Sequence, residues 1–451
     1  MTPSSHQPAP PRTIDYLTLF GDDRVHGSLY ADPQVFEDEM DRIFTRGWAF
    51  VGHESEVPEP GDWVTRRLGR EPVIMSRDRS RQVHVLSNRC SHRGTALCWE
   101  ARGHSPTFQC NYHAWTFGLD GALRAVPYPG GFDRDKADLG LDRAGQVEDY
   151  RGFVFANLDG RAGPLAGHLG EGGAGLIDRL CDLSPTGSIE LSAGWIGHRV
   201  DSNWKMWPES DNDGYHLNWV HASMVDAVPD NYYEETVLGG ETGNRSLAVD
   251  WGLGHVELDL RPSYRTELAW LGTARERVAG YCEAVEARLG EQRGRQALWD
   301  GPPHALVFPN LFLGEMNIAI IEPVSNDQMV HWHTAVQLQG VDPSFNQRLR
   351  RQSEAAMGPA AFIVPDDAVT AERMQMAMSA TKPGWAQVGR AWIDMSRGSG
   401  REETGPEGQL QGLVSDETTN RGFWRRYRSI MTAPERAMPE TVLPETVVGF
   451  R

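Results

Sequence analysis

Residues 88–115 read NRCSHRGTALCWEARGHSPTFQCNYHAW. Two short loops in this stretch each offer one thiol and one imidazole, Cys90 with His92 and Cys110 with His113. With 5 cysteines and 15 histidines in 451 residues, one fixed spacing of such a quartet arises by accident only roughly 6 × 10⁻⁵ times. The set is suited to a metal. Tetrahedral zinc generally takes its cysteines from one turn and its histidines from another. Here each loop gives one of each. A [2Fe–2S] centre in which one iron takes two thiolates and the other two imidazoles meets that asymmetry directly. Imidazoles in place of thiolates also raise the potential, making the centre a ready electron acceptor.

The surroundings are β-rich. Short strands are expected at 48–52, 63–68, 73–76, 83–86, 107–110 and 153–157, broken by turn residues such as Gly61-Asp62, Asp120-Gly121 and Pro129-Gly130-Gly131. The pattern CxH-x17-CxxH on this background resembles the Rieske family. Zinc is the alternative. Cys98 reads as a small buried hydrophobe. Tyr112 and Trp115 read as shields for the cluster, or as ordinary core. Arg77, Arg79, Arg81, Arg89, Arg93 and Arg102 form either a basic collar for an acidic electron donor or a solvated surface.

Bulk composition sets the limits. The chain exceeds the usual size of a single core, so two domains are expected. It is 39% hydrophobic and 24% charged, as in globular proteins. A net charge of −18 argues against nucleic acid as the main partner. No apolar run is long enough to span a membrane. The N-terminal MTPSSHQPAPPRT has no apolar signal-peptide core. Five scattered cysteines suggest no disulfide scaffold and fit a reducing cytoplasm.

A cluster that only carries electrons needs far fewer residues, and nearly 300 follow. Among them, residues 203–224 read NWKMWPESDNDGYHLNWVHASM. Glu209, Asp213 and His216 fall on one helical stripe. His216 and His221 are about 140° apart on a regular helix, so both reach one metal only if the helix bends or ends nearby. Two histidines and a carboxylate on one face of iron leave positions open for dioxygen and substrate. Asn203-Trp204-Lys205 followed by Asp213-x-Tyr215-His216-x4-His221 is similar to the catalytic segment of Rieske non-haem iron ring-hydroxylating oxygenases, large (α) subunit. The likeness runs from about Trp48 to the C-terminal GFWRRYRSIM.

That resemblance implies an α+β chain. Residues 41–160 would form an all-β Rieske domain with a [2Fe–2S] cluster. Residues 161–451 would form an α+β catalytic domain, an antiparallel sheet covered by helices in a helix-grip-like arrangement. Residues 1–40 would be a tail and helical segment packing on the latter. Cys90, His92, Cys110 and His113 would bind the cluster, and His216, His221 and Asp367 a mononuclear Fe(II). Asp366 is the alternative third ligand, since an Asp opening a helix is usually its cap. Asp213 would bridge His216 and a cluster histidine, His113, of a neighbouring subunit. Electrons crossing between subunits imply a trimer, α3, or α3β3 with a small β subunit. A separate reductase, NADH-dependent, with or without a ferredoxin, would supply electrons, and O2 would cis-dihydroxylate a small aromatic substrate. Monooxygenation or demethylation on the same architecture is the alternative, and a simple Rieske electron carrier a remoter one. Pro208-Glu209 departs from the Glu-Asn of many members.

Further expectations concern the rest of the chain. Gly170-Glu-Gly-Gly-Ala-Gly175 formally matches GxGxxG but follows no strand, so it reads as a flexible loop within a Gly/Pro-rich boundary at 159–188. Helices are expected over 266–289, 344–357 and 367–378. A last amphipathic helix carries Phe423, Tyr427, Ile430 and Met431 on one face, with Asp416 and Glu417 in its first turn. Residues 224–233, 308–312 and 362–364 read as pocket or core. An aromatic acid as substrate would suit a cation at Arg245, Arg261 or Arg265.

Overall fold

Strands form where the alternation placed them, and more besides. A computed structural model describes residues 13–227, 245–358, 360–379 and 391–434. Near the Cys/His loops, Val83–Ser87, Glu71–Arg77, Asp62–Leu68 and Arg102–His104 make a four-stranded antiparallel sheet in that order. Phe108–Gln109, Thr116–Phe117 and Leu123–Ala125 make a three-stranded one. Their inward residues Ile74, Leu86, Phe108, Trp115 and Phe117 enclose a small core that also takes in Cys90, Cys98 and Cys110. A third sheet, Gln146–Tyr150, Phe153–Asn157 and Ala49–His53, faces the rest of the protein. There Asn310 exchanges two 3.0 Å hydrogen bonds with the backbone of Phe50.

The remainder is built on a nine-stranded antiparallel sheet. Its order is Ile196–Val200, Gln328–Ala335, Asn317–Ser325, Leu311–Gly314, His304–Val307, His255–Asp259, Leu247–Gly252, Leu410–Leu413, Glu403–Thr404. The helices over it that matter here are α1 (Leu165–Asp182), α2 (Met206–Asp211), α3 (Leu217–Val220), α4 (Pro343–Met357), α5 (Val364–Ser379) and α6 (Thr418–Met431). The chain is therefore α+β, with an all-β N-terminal part and an antiparallel sheet flanked by helices. Residues 225–233 of the expected pocket segment fall partly outside the described residues.

Three expectations are corrected. The Gly-rich 170–175 segment is not a loop but part of α1, which kinks at Gly170 (φ 57°). Leu165, Leu169, Leu176, Ile177 and Leu180 are buried at helical spacing. The glycines serve packing: a Cβ on Gly172 would stand 2.6 Å from Trp251, and one on Gly173 3.0 Å from His255. Residues 266–289 are not one helix. Leu268 and Gly272 adopt left-handed backbone, and the regular helix is Ala279–Leu289. Finally, α5 begins at Val364, so Asp366 and Asp367 lie inside its first turn and neither stands ahead of it as a cap.

The N-terminal segment packs across this half. Helix Pro33–Glu39 is capped by Asp32, which accepts from the Gln34 N–H at 2.9 Å. At its end the buried carboxylate of Glu39 accepts from Lys205 Nζ at 2.6 Å, Trp204 Nε1 at 2.8 Å and the Tyr427 hydroxyl. This ties the start of the chain to the entry of α2 and to α6.

Candidate active site

The two Cys/His loops share one backbone plan. In the first, the Cys90 N–H donates to Thr95 O and the Gly94 N–H returns to Cys90 O, both at 2.8 Å. In the second, the Cys110 N–H donates to Trp115 O at 2.8 Å and the Ala114 N–H returns to Cys110 O at 2.9 Å. Gly94 and Ala114 take the left-handed conformation that each turn requires (φ 75° and 53°). The loops thereby bring both thiols inside and both imidazoles to the rim. Cys90 and Cys110 are buried within hydrogen-bond reach of each other, and the rings of His92 and His113 lie 4.6 Å apart. Burial raises the Cys90 thiol pKa, while the backbone N–H groups of His92 and Arg93 pull it down by pointing at the sulfur. A cradle of amides around a thiolate suits an iron–sulfur centre, whose potential depends on such bonds. Trp115 stacks on His92 at 4.6 Å with 4° between the planes, as a shield would. Tyr112 packs on His113 but is 55% exposed. Cys98 is buried, its pKa pushed up to about 12 by desolvation. The arginine collar is thinner than its sequence suggests: Arg77 is buried on backbone carbonyls, and Arg81 bonds Glu59 and Pro58.

The second site forms where α2 stops. Asn212 leaves helical geometry, a turn carries Asp213 to Tyr215, and α3 runs only from Leu217 to Val220. His216 and His221 therefore flank one helical turn rather than sharing a regular face. His216 Nε2 lies 3.3 Å from His221 Nε2, and Asp367 Oδ1 lies 3.5 Å and 3.3 Å from them. These are the edges expected when three donors sit about 2.1 Å from one ion. Among the described residues this is the one group of three or more such side chains whose ligand atoms converge, all within 4.8 Å. Asp366 is placed differently: its Oδ2 approaches His221 Nδ1 at 3.6 Å.

The local charges suit a divalent cation. Burial alone would lower the pKa of His216, yet hydrogen bonds to Asp213 and Asp367 raise it to about 10. Burial would raise Asp367, yet His216 and His221 hold it at about 2. Asp213 Oδ2 lies 3.1 Å from His216 Nδ1, and its Oδ1 accepts from the Tyr215 N–H at 2.8 Å. That bond fixes the ring so that Nε2 faces the other two ligands. Glu209, expected on the same stripe, instead turns into the core, where Tyr30 OH donates to it at 2.6 Å and Trp424 Nε1 also donates.

Beside the ligands lies a cavity of about 400 Å³, lined mostly by apolar groups including Leu217, Met224, Leu258, Phe312, Met357 and Phe362, within the range of small-molecule sites. Phe308, expected there, packs in the core on Phe423. The expectation of a cation fails among the described lining residues. Arg245, Arg261 and Arg265 do not line the cavity, and Arg261 is held by both oxygens of Asp259. Among the polar lining groups that sequence reasoning missed are His304, Gln352, Ser353 and Asn317. They come from strands and helices far apart in sequence, with no local motif to mark them.

Comparison with known proteins agrees with this geometry. Residues 47–138 match the Rieske [2Fe-2S] domain, and residues 188–433 the ring hydroxylating alpha subunit (catalytic domain). The 2-halobenzoate 1,2-dioxygenase large subunit of Burkholderia cepacia is 30% identical over 87% of this chain and 84% of its own. The anthranilate 1,2-dioxygenase large subunit of Acinetobacter baylyi is 29% identical, over 92% and 91%. Naphthalene 1,2-dioxygenase with indole bound shares the fold at a TM-score of 0.81 and 24% identity, covering 93% of this chain and 95% of that one. The chain belongs to the ring-hydroxylating α subunits, Rieske non-haem iron oxygenases. It is the oxygenase component of a multicomponent aromatic-ring-hydroxylating dioxygenase, with a Rieske cluster and a mononuclear iron as cofactors and separate electron-transfer components as electron source. No helix among the described residues is long and apolar enough to cross a membrane.

Proposed function

We propose that this chain cis-dihydroxylates a small, monocyclic arene in the cytoplasm, with a Rieske domain over 41–160 and a catalytic domain over 161–451. The observation that carries the reading is the convergence of His216, His221 and Asp367 at the wall of an apolar cavity. These three hold ferrous iron, and Cys90, His92, Cys110 and His113 hold the cluster. Bound there, iron supplies dioxygen activation with electrons relayed by the cluster. The protein does the rest. Asp213 keeps His216 oriented. Leu217, Leu258, Phe312 and Phe362 exclude water and seat the ring by dispersion and desolvation. The relatives named for anthranilate and 2-halobenzoate support an aromatic acid. With no Lys or Arg among the described lining residues, its polar substituents would be met by neutral hydrogen-bonding groups.

A head-to-tail trimer completes the electron path. Within one chain the hydrogen bonds of Asp213 go to Tyr215 and His216, while His113 has Tyr112 and His92 as ring neighbours. Tyr215 and Trp219 beside Asp213 are 47% and 78% exposed. These exposed aromatics support docking of the next chain's His113 on Asp213, as α3 or as α3β3 with a small β subunit. The test is turnover of candidate aromatic acids and neutral arenes under ¹⁸O₂ with a reconstituted electron-transfer chain. A cis-diol with two labelled oxygens is expected. A singly labelled phenol or a dealkylated product would overturn dihydroxylation.

A further inference from the structure

Two of the three side chains at the proposed iron site have a group that holds them. His216 Nδ1 faces Asp213 Oδ2 at 3.1 Å, and Asp367 Oδ1 accepts from Ser210 Oγ at 3.2 Å. His221 is the third, and its outer nitrogen has no such bond. The residue is 1% exposed, and its Nδ1 is buried without a hydrogen-bond partner among the described residues. Asp366 Oδ2 stands 3.6 Å from that nitrogen, and it too is buried without a partner.

Coordination decides where His221 keeps its proton. Nε2 is the nitrogen turned toward His216 Nε2 and Asp367 Oδ1, 3.3 Å from each. A ligating imidazole is neutral, so with Nε2 given to a metal the one ring proton sits on Nδ1. A buried N–H with nothing to accept it is unfavourable, and a carboxylate is a strong acceptor. At 3.6 Å the two atoms stand outside hydrogen-bond range, and a closure of about 0.5 Å brings them within it. Asp366 has room for that movement, since its side chain is 37% exposed. Its backbone is fixed: the N–H groups of Asp366 and Asp367 both donate to Ile363 O, at 3.1 Å and 3.2 Å. Consecutive side chains diverge by about 100° around a helix. The two aspartates of α5 thereby reach opposite edges of one imidazole.

We propose that Asp366 is a positioning residue, which accepts from His221 Nδ1–H when a metal occupies Nε2 and so orients the ring and strengthens it as a ligand. The inference rests on His216, His221 and Asp367 being the iron site. Asp213 and Asp366 then perform one task for two histidines. An aspartate that merely favoured the start of α5 through the helix dipole would leave metal affinity and the His221 N–H untouched.

The test uses the full chain, its cluster oxidised and its mononuclear site loaded with Co²⁺, whose paramagnetism shifts the ring N–H signals of its ligands clear of other proton resonances. Two exchangeable signals are expected in the wild type, from His216 and His221. In Asp366→Ala one of them moves or is lost to exchange with water while the other persists, and Co²⁺ affinity, read by chelator competition, falls about 10–100-fold. Asp366→Asn, whose amide oxygen still accepts, keeps both signals with one displaced and loses less affinity. That displacement carries the test should Asp366→Ala fail to fold. Both signals left in place, or Co²⁺ affinity within about threefold of wild type in Asp366→Ala, overturns the inference alone. A wild type that takes up no Co²⁺ overturns the iron site and this inference with it.

Discussion

Replacing Lys205 by methionine is expected to weaken both the fold and the iron site. Lys205 and Glu39 have side chains with no exposed surface, joined at 2.6 Å. Lys205 Nζ also donates to Asn203 Oδ1 at 2.7 Å. Removing one member of a buried ion pair commonly costs about 3–5 kcal/mol, because the other charge stays buried and uncompensated. In Lys205→Met the Glu39 carboxylate would keep the Trp204 and Tyr427 donors, so the cost should sit near the lower end, about 3 kcal/mol. In Glu39→Gln the ammonium would keep only neutral acceptors, Asn203 and the amide oxygen at position 39, and burial already depresses its pKa, so the cost should be at least as large. The double variant leaves no orphan charge. Its cost should fall short of the summed singles by about 2 kcal/mol or more. Urea unfolding of the three variants measures this. Because Lys205 stands at the entry of α2, which leads to Asp213 and His216, iron per chain should fall in the single variants and recover in the double. A Lys205→Met cost below about 1 kcal/mol, or strict additivity, would refute the argument.

Two further outcomes follow from the sites. His221→Ala and Asp367→Ala should each lose the mononuclear iron while the visible spectrum of the cluster persists, since the two sites share no residue; metal analysis beside absorbance checks this, and loss of cluster colour in step would contradict it. Glu209, buried and desolvated, has a pKa raised to about 7 despite donors from Tyr30 and Trp424. The folded chain therefore keeps a proton that the unfolded chain releases near the ordinary value, and stability falls as pH rises from about 4.5 to 7. Glu209→Gln should flatten that fall by about 2–3 kcal/mol, read from urea midpoints at pH 5 and pH 8.

How much of this was legible depends on whether the signal was local. The Cys/His quartet occupies two short loops, so spacing alone singled it out as a candidate. His216 and His221 were legible with one condition, that the helix bend or end nearby, and α2 stopping at Asp211 with the short α3 after it meets that condition. The Glu209 stripe failed for the same reason: α2 stops at Asp211, so helical periodicity does not carry through to Asp213. The helix α1 was missed because glycine is a poor helix former, and its advantage here, close approach to Trp251 and His255, depends on a partner strand some 80 residues away. Arg261 looked available in sequence because Asp259, two residues before it, gives no hint that the two will pair. Asn317 and Ser353, both on the cavity wall, carry no motif at all, since what joins them is the packing of α4 on the sheet.

One side of the cavity wall draws on a different part of the chain from the ligand set. His216, His221 and Asp367 stand on or beside helices, whereas Leu258, His304, Phe312 and Asn317 belong to the central sheet. Residues that recognise a ring can therefore be exchanged, one strand position at a time, while the geometry that activates oxygen is left alone. Such a separation lets one scaffold diversify toward new arenes by single substitutions, each answerable to selection for its own compound and none obliged to rebuild the chemistry.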